Sequence, residues 1–183
     1  MPRITDLDVA RMNPEQRRIY DAIVAGPRGV VEGPLKVWLK SPALAATAQE
    51  LGAFCRFGTS LPPRLSELAI LITGAFWRAG FEWAVHVGIA IDAGISPAIA
   101  QAIRSGEKPV FDHADEAAVH DFCVALHRNH IVDPDSYART VEVLGEVGVV
   151  ELVGILGYYT LISMTINVFE VPLPSGATNP FPN

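Results

Sequence analysis

The run "VGVVELVGILGYYTLISMTINVF", residues 147–169, constrains this chain more than any other segment. It is long enough to cross a hydrocarbon layer as one helix, and too long and continuous to be a strand. Glu151 and Asn167 lie within it, and no Lys or Arg flanks either end as a snorkelling anchor would. A carboxylate in lipid is costly, whereas a buried protein helix can satisfy it. The reading is therefore a packed helix at a core or subunit contact, with no membrane as partner, and the remaining segments must be arranged around it.

At 183 residues the chain has room for one domain with a sizeable core. Half of its residues are hydrophobic and the mean hydropathy is +0.28, more apolar material than one small monomer can hide. Apolar surface at a contact with further copies of the chain is expected, hence a homo-oligomer. The net charge of −6, without clustered Lys or Arg, argues against nucleic acid as a partner and suits a cytoplasmic protein. Cys55 and Cys123 stand alone, with no Cys-x-x-Cys pair, and read as small buried hydrophobes. The opening "MPRITDLDVARMNPEQRR" has no apolar h-region, so no export signal is expected.

Start signals recur along the chain. Asn13-Pro14, Ser41-Pro42, Pro62-Pro63 and Ser96-Pro97 each precede helical spacing, and Gly26, Gly80 and Gly94 interrupt it. In the helix over 41–58 the apolar face is read as Leu44, Ala48, Leu51 and Cys55. Residues 112–130 read as an amphipathic helix, and "DPDSYARTVEVLG" as a short one before the long apolar run. No period-2 strand pattern is present, so the fold class is all-α. We divide the chain into a helical N-terminal extension (1–40), a helical domain (41–171) and a Pro-rich extended C-terminal arm (172–183) available to lie across a neighbour. "SELAILITGAFW" (66–77) and "VELVGILGYYTL" (150–161) also echo one another.

Three groups of side chains bear on chemistry. Glu82 and His86 are four apart on one helix face, where the carboxylate can orient and charge-stabilise the imidazole. That spacing fits an acid–base pair, and equally a polar seam between packed helices. Glu67 opens an otherwise apolar helix, either favoured there by the helix dipole or paired with Arg64 one turn earlier. His120, Cys123, His127 and His130 share a helix face, but the first and last are roughly 15 Å apart along the axis, so no metal site is expected.

The run "RLSELAILITGAFWRAGFEWAVHVGIAIDAGIS", 64–96, resembles the carboxymuconolactone decarboxylase / alkylhydroperoxidase D (AhpD) superfamily, and the resemblance extends over roughly 40–172. It implies an AhpD-like helical bundle assembling as a trimer or hexamer. In the peroxidase branch a Cys-x-x-Cys pair precedes the helical His, with a Glu one helix earlier. Glu67 and His86 match those two positions, but the thiol positions fall on Ala79 and Glu82, so a dithiol peroxide cycle cannot run there. The decarboxylase branch carries Glu-x-x-x-His, which Glu82 and His86 reproduce.

The resemblance thus implies a lyase of aromatic-compound catabolism that needs no metal or organic cofactor and decarboxylates a small carboxylated lactone by proton transfer. Its catalytic residues would be Glu67, Glu82 and His86. Arg64 or Arg78 would clamp the substrate carboxylate, and Phe81, Trp83 and Tyr159 would form pocket walls. Two alternatives stand beside it: an AhpD-like relative of alkyl hydroperoxide reductase that has lost its redox cysteines, and a non-catalytic oligomeric binding or scaffold protein.

Overall fold

The computed structural model describes residues 2–182, and among them every regular element is helical. A 3-10 turn, Val9–Arg11, precedes α1 (Pro14–Ala25), α2 (Pro34–Trp38), α3 (Pro42–Phe57), α4 (Pro63–Phe76), α5 (Gly80–Asp92), α6 (Pro97–Ser105), α7 (Ala114–Asn129) and α8 (Pro134–Phe169). Six of the eight carry proline in their first turn, where the missing N–H costs nothing. Asn13 closes a reciprocal capping box with Gln16, and Asp133 caps α8 through the Ser136 amide. Ser96 caps α6, whereas Ser41 makes no side-chain cap at α3. α8 is broken at Gly145 (φ 69°), where the short helix expected from "DPDSYARTVEVLG" meets the apolar run.

α4 is the axis of the fold. Every residue from Leu65 to Gly74 is buried, which an all-round apolar helix requires. α5, α7 and α8 pack on it, α3 closes against α8, and α1 and α2 lie on α3. The two segments that echo one another in sequence are thus the packed pair α4 and α8. The first forty residues contribute Ile19, Ile23, Val31, Leu35, Trp38 and Leu39 to the same core cluster.

The apolar run of α8 is in use as a core element: Leu152, Ile155, Leu156, Tyr158, Tyr159 and Ile162 are buried. α8 is the one helix among the described residues long and apolar enough to cross a membrane, and half of its apolar window is buried in protein. Glu151, the carboxylate that disfavours lipid, accepts from the Ser60 amide (2.7 Å) and hydroxyl (2.6 Å).

One local reading is corrected. On α3 the core face is Ala45, Ala48, Gly52 and Cys55, while Leu44 and Leu51 point outward. The inward side must be slim because Tyr158 presses on it: a Cβ at Gly52 would lie 2.0 Å from the Tyr158 hydroxyl. The Pro-rich arm, described as far as Pro182, folds back on its own chain. Phe181 is buried edge-on against Trp83 at 5.5 Å, and the Arg78 guanidinium donates to the Pro182 carbonyl at 2.8 Å.

Candidate functional site

The α4–α5 hairpin builds the site. Its turn is tight, with Arg78 in the left-handed region (φ 51°) and the Ala79 amide donating to the Gly74 carbonyl. α5 therefore returns alongside α4 and carries His86 back to Glu67. The His86 Nδ1–Glu67 Oε2 distance is 2.7 Å, and Nε2–Glu82 Oε1 is 2.9 Å. Each ring nitrogen thus faces a carboxylate. All three residues are buried, with 6 %, 4 % and 2 % of Glu67, Glu82 and His86 exposed.

Burial opposes a charge on His86, but the Glu82 charge and the hydrogen bonds that both glutamates accept outweigh it and raise its pKa to about 9. At neutral pH the ring is therefore an imidazolium donating from both nitrogens. The Tyr159 ring meets it edge-on at 5.3 Å, and the Tyr159 hydroxyl is buried with no hydrogen-bond partner among the described residues. Burial, reinforced by the charges of Glu82 and Glu67, raises the Tyr159 pKa well above its ordinary value.

A cavity of about 60 Å³ lies on the Glu82 side of this triad. His86 and Glu82 line it, with Phe81, Tyr158, Tyr159, Arg28 and Arg56. Glu67 does not; it holds the imidazole from behind. The space suffices for about two waters at ~30 Å³ each and is too small for a carboxylated ring. Its outer wall includes the loop before α2, where Gly29 and Gly33 take φ of 71° and 56°. From that loop the Arg28 Nη2 donates to the Tyr158 hydroxyl at 3.2 Å, and its Nε is buried without a partner.

Of the expected pocket residues, Phe81 and Tyr159 reach this cavity, while Arg64, Arg78 and Trp83 do not. Arg64 pairs with Glu116 and, at 2.6 Å, with Asp115 at the start of α7, so it is neither a substrate clamp nor the partner of Glu67. Arg78 turns to the C-terminal arm, and Trp83 packs under Phe181. The two cationic side chains that do reach the cavity, Arg28 and Arg56, lie outside the α4–α5 motif. A buried neighbour with unmatched polarity identifies them only once the fold is assembled. Cys55 and Cys123 are buried, and burial pushes both thiols up, away from the reactive thiolate form. Among the described residues no cluster of three or more His, Cys, Asp or Glu is placed to hold a metal.

No protein-family model matches this chain, and no curated protein matches it by sequence. Solved structures do. An uncharacterized peroxidase-related protein from Silicibacter sp. TM1040 superposes with a TM-score of 0.74 at 11 % identity, covering 95 % of this chain and 93 % of the other. A second, described as an alkylhydroperoxidase AhpD core from Ralstonia eutropha JMP134, gives 0.74 at 13 % identity with the same coverages. This chain has the AhpD-like fold. The debrominase Bmp8, in complex with 2,3,4-tribromopyrrole, shares it at a TM-score of 0.73 and 14 % identity, over 94 % of this chain and 91 % of that one. At these identities the likeness speaks to the fold, and the chemistry must come from the side chains present.

Proposed function

We propose that this chain is a proton-transfer lyase of the carboxymuconolactone decarboxylase type, acting on a small carboxylated lactone or a related ring of aromatic-compound catabolism. The observation that carries the reading is the buried His86 imidazole, clamped between Glu67 and Glu82 beside a cavity lined by two arginines. Loss of CO2 breaks a carbon–carbon bond and leaves its electron pair in the unsaturated ring, as an oxyanion. One proton must then be added to carbon. Arg28 and Arg56 suit the substrate carboxylate and the developing negative charge. Glu82 bridges His86 and the cavity and is the carrier of the proton; Glu67 positions the ring and is no contact of the substrate. Water restores the proton to His86 after product leaves.

For a ring to enter, the loop 26–33 has to swing outward and take Arg28 from Tyr158, which makes Arg28 both latch and clamp. The test is a screen of carboxylated lactones with wild type, Glu82→Gln and Arg28→Gln. Turnover lost in Glu82→Gln and KM raised in Arg28→Gln are expected. Equal rates in all three remove the triad from the chemistry.

One observation favours a second reading, a non-catalytic oligomeric binding or scaffold protein. Both ring nitrogens of His86 are already satisfied and the cavity is water-sized, as a purely structural polar network would be. Release of CO2 from a lactone in that screen supports the enzyme; protection of residues 26–33 from hydrogen exchange without turnover, or no change at all, supports the binding or scaffold protein.

For the partner, the proposed occupant of the apolar groove between α3 and α8 is a second copy of this chain, within a trimer or hexamer. Leu51, Phe54, Val147 and Val150 stand exposed around a groove of about 590 Å³. Sedimentation of wild type against Val150→Asp checks this: a wild-type monomer at micromolar concentration defeats it.

A further inference from the structure

A larger cavity, of about 390 Å³, lies between α4, α6, α7 and the C-terminal arm. It shares no lining residue with the triad cavity, so a ligand bound there is independent of the lyase reading. Its volume falls in the ~300–1,000 Å³ range of small-molecule sites.

Its charge is anomalous for this chain. The protein carries 20 Asp and Glu against 14 Lys and Arg, yet three guanidinium groups (Arg78, Arg104 and Arg128) line this cavity against one carboxylate, Glu107. Arg78 spends one amino group on the arm's carbonyls, which also seats Phe181 as a wall. Arg104 and Arg128 make no ion pair among the described residues. Two uncompensated arginines at the mouth of a cavity attract an anion. The carbonyl end of α6, at Arg104–Gly106, borders the same space and disfavours a second negative charge. The charge pattern suits a monoanion such as a carboxylate better than a phosphate.

The walls specify the rest. Phe76 and His127 are stacked on each other, 4.8 Å apart and 14° from parallel, so a further flat ring can extend the stack. The Thr73 hydroxyl donates to the Ala69 carbonyl at 2.9 Å, so its oxygen accepts from His127 Nε2–H at 3.0 Å. Burial keeps the His127 pKa below its ordinary value, which leaves Nδ1 a lone-pair acceptor. His120 is also pushed down by burial, and its Nδ1 faces Asp121 at 3.1 Å, leaving Nε2 in the same role. The cavity therefore presents cations at its mouth, a flat wall and imidazole acceptors for a hydroxyl.

We propose that this cavity is a second binding site, and that it takes a small planar ring bearing one carboxylate and one hydroxyl. The carboxylate pairs with Arg104 and Arg128, the ring lies along Phe76 and His127, and the hydroxyl donates to an imidazole. The experiment is calorimetric titration of the full chain with 4-hydroxybenzoate, phenol and methyl 4-hydroxybenzoate. It is repeated on the Arg104→Gln/Arg128→Gln double variant, with amide shifts mapped by NMR. Saturable binding of the acid at one site per chain is expected, weakened about tenfold or more in the double variant. The two uncharged probes should bind at least as weakly as that variant binds the acid. Shift changes should centre on residues 72–78, 103–107 and 120–128. No saturable binding at millimolar acid, equal affinity in the double variant, or shifts centred on His86 and Tyr159 would each overturn the proposal.

Discussion

The two cavities on either side of α4 solve opposite electrostatic problems. Around His86 the charges are buried and mutually paired: two carboxylates hold one imidazolium within 2.9 Å. Between α4, α6 and α7 the charges are exposed and incomplete, with guanidinium groups that face space. α4 serves both, with Glu67 backing His86 and with Ile72, Ala75 and Phe76 lining the larger cavity. A site that already satisfies itself must open to act, whereas an unsatisfied one needs only a ligand of the right sign. The volumes agree, about 60 Å³ against about 390 Å³.

Stability should expose the difference first. His86→Ala leaves Glu67 and Glu82 facing each other in the interior without their cation, and breaking a buried pair in this way costs about 4 kcal/mol. His127→Ala, in the open cavity, loses one hydrogen bond and part of a stack and should cost about 1 kcal/mol. Urea unfolding of the two variants measures both. Comparable losses would mean that the triad is no more self-contained than the open cavity.

The pH dependence of unfolding sharpens the same point. His86 titrates near 6.5 when unfolded and near 9 when folded, so the native state holds its proton longer. Its contribution is therefore complete below pH 6.5 and is lost as the pH rises through 9, by roughly 3 kcal/mol in all. Wild type should lose stability over that window, and His86→Gln should lose little there. His120 and His127 are shifted down, and therefore cannot produce a decline above pH 6.5.

Much of this was legible in the sequence where the controlling chemistry is local. Proline at the first helical position and its capping partners act within four residues, so Asn13, Ser96 and Asp133 announce their helices. Glu82 and His86 meet because 3.6 residues make a turn, and the resemblance brought Glu67 to the same atom cluster. What failed was long-range. Arg64 had a candidate partner one turn away and took two instead at positions 115 and 116, because α7 docks on the start of α4. Arg28 reaches Tyr158 across 130 residues, and no periodicity encodes that. On α3 Ala48 and Cys55 face inward as expected, but the two larger side chains, Leu44 and Leu51, do not. Hydrophobicity says what prefers burial, and the bulk of Tyr158 decided what could fit.

That close approach offers a way to widen the smaller cavity. A Cβ at position 52 would lie 2.0 Å from the Tyr158 hydroxyl and 2.6 Å from Arg28 Nη2. Gly52→Ala must therefore displace both side chains, with an overpacking cost of about 2 kcal/mol. Faster hydrogen exchange over 26–33 is the expected signature, with exchange around α6 and α7 unchanged. If the loop stays protected, Arg28 is not its latch.

The smallest effect is the most discriminating for the other side of α4. Arg104 and Arg128 are exposed and make no ion pair among the described residues, so only the weak attraction of the α6 and α7 carbonyl ends depends on their charge. Arg104→Gln and Arg128→Gln should each change unfolding stability by less than about 0.5 kcal/mol, as surface substitutions do. A pair of arginines that lines a cavity and contributes little to folding has its charge available for a ligand. Should either substitution destabilise the protein by more than about 1 kcal/mol, that charge is already committed to the fold, and the contrast between the two cavities narrows to one of size.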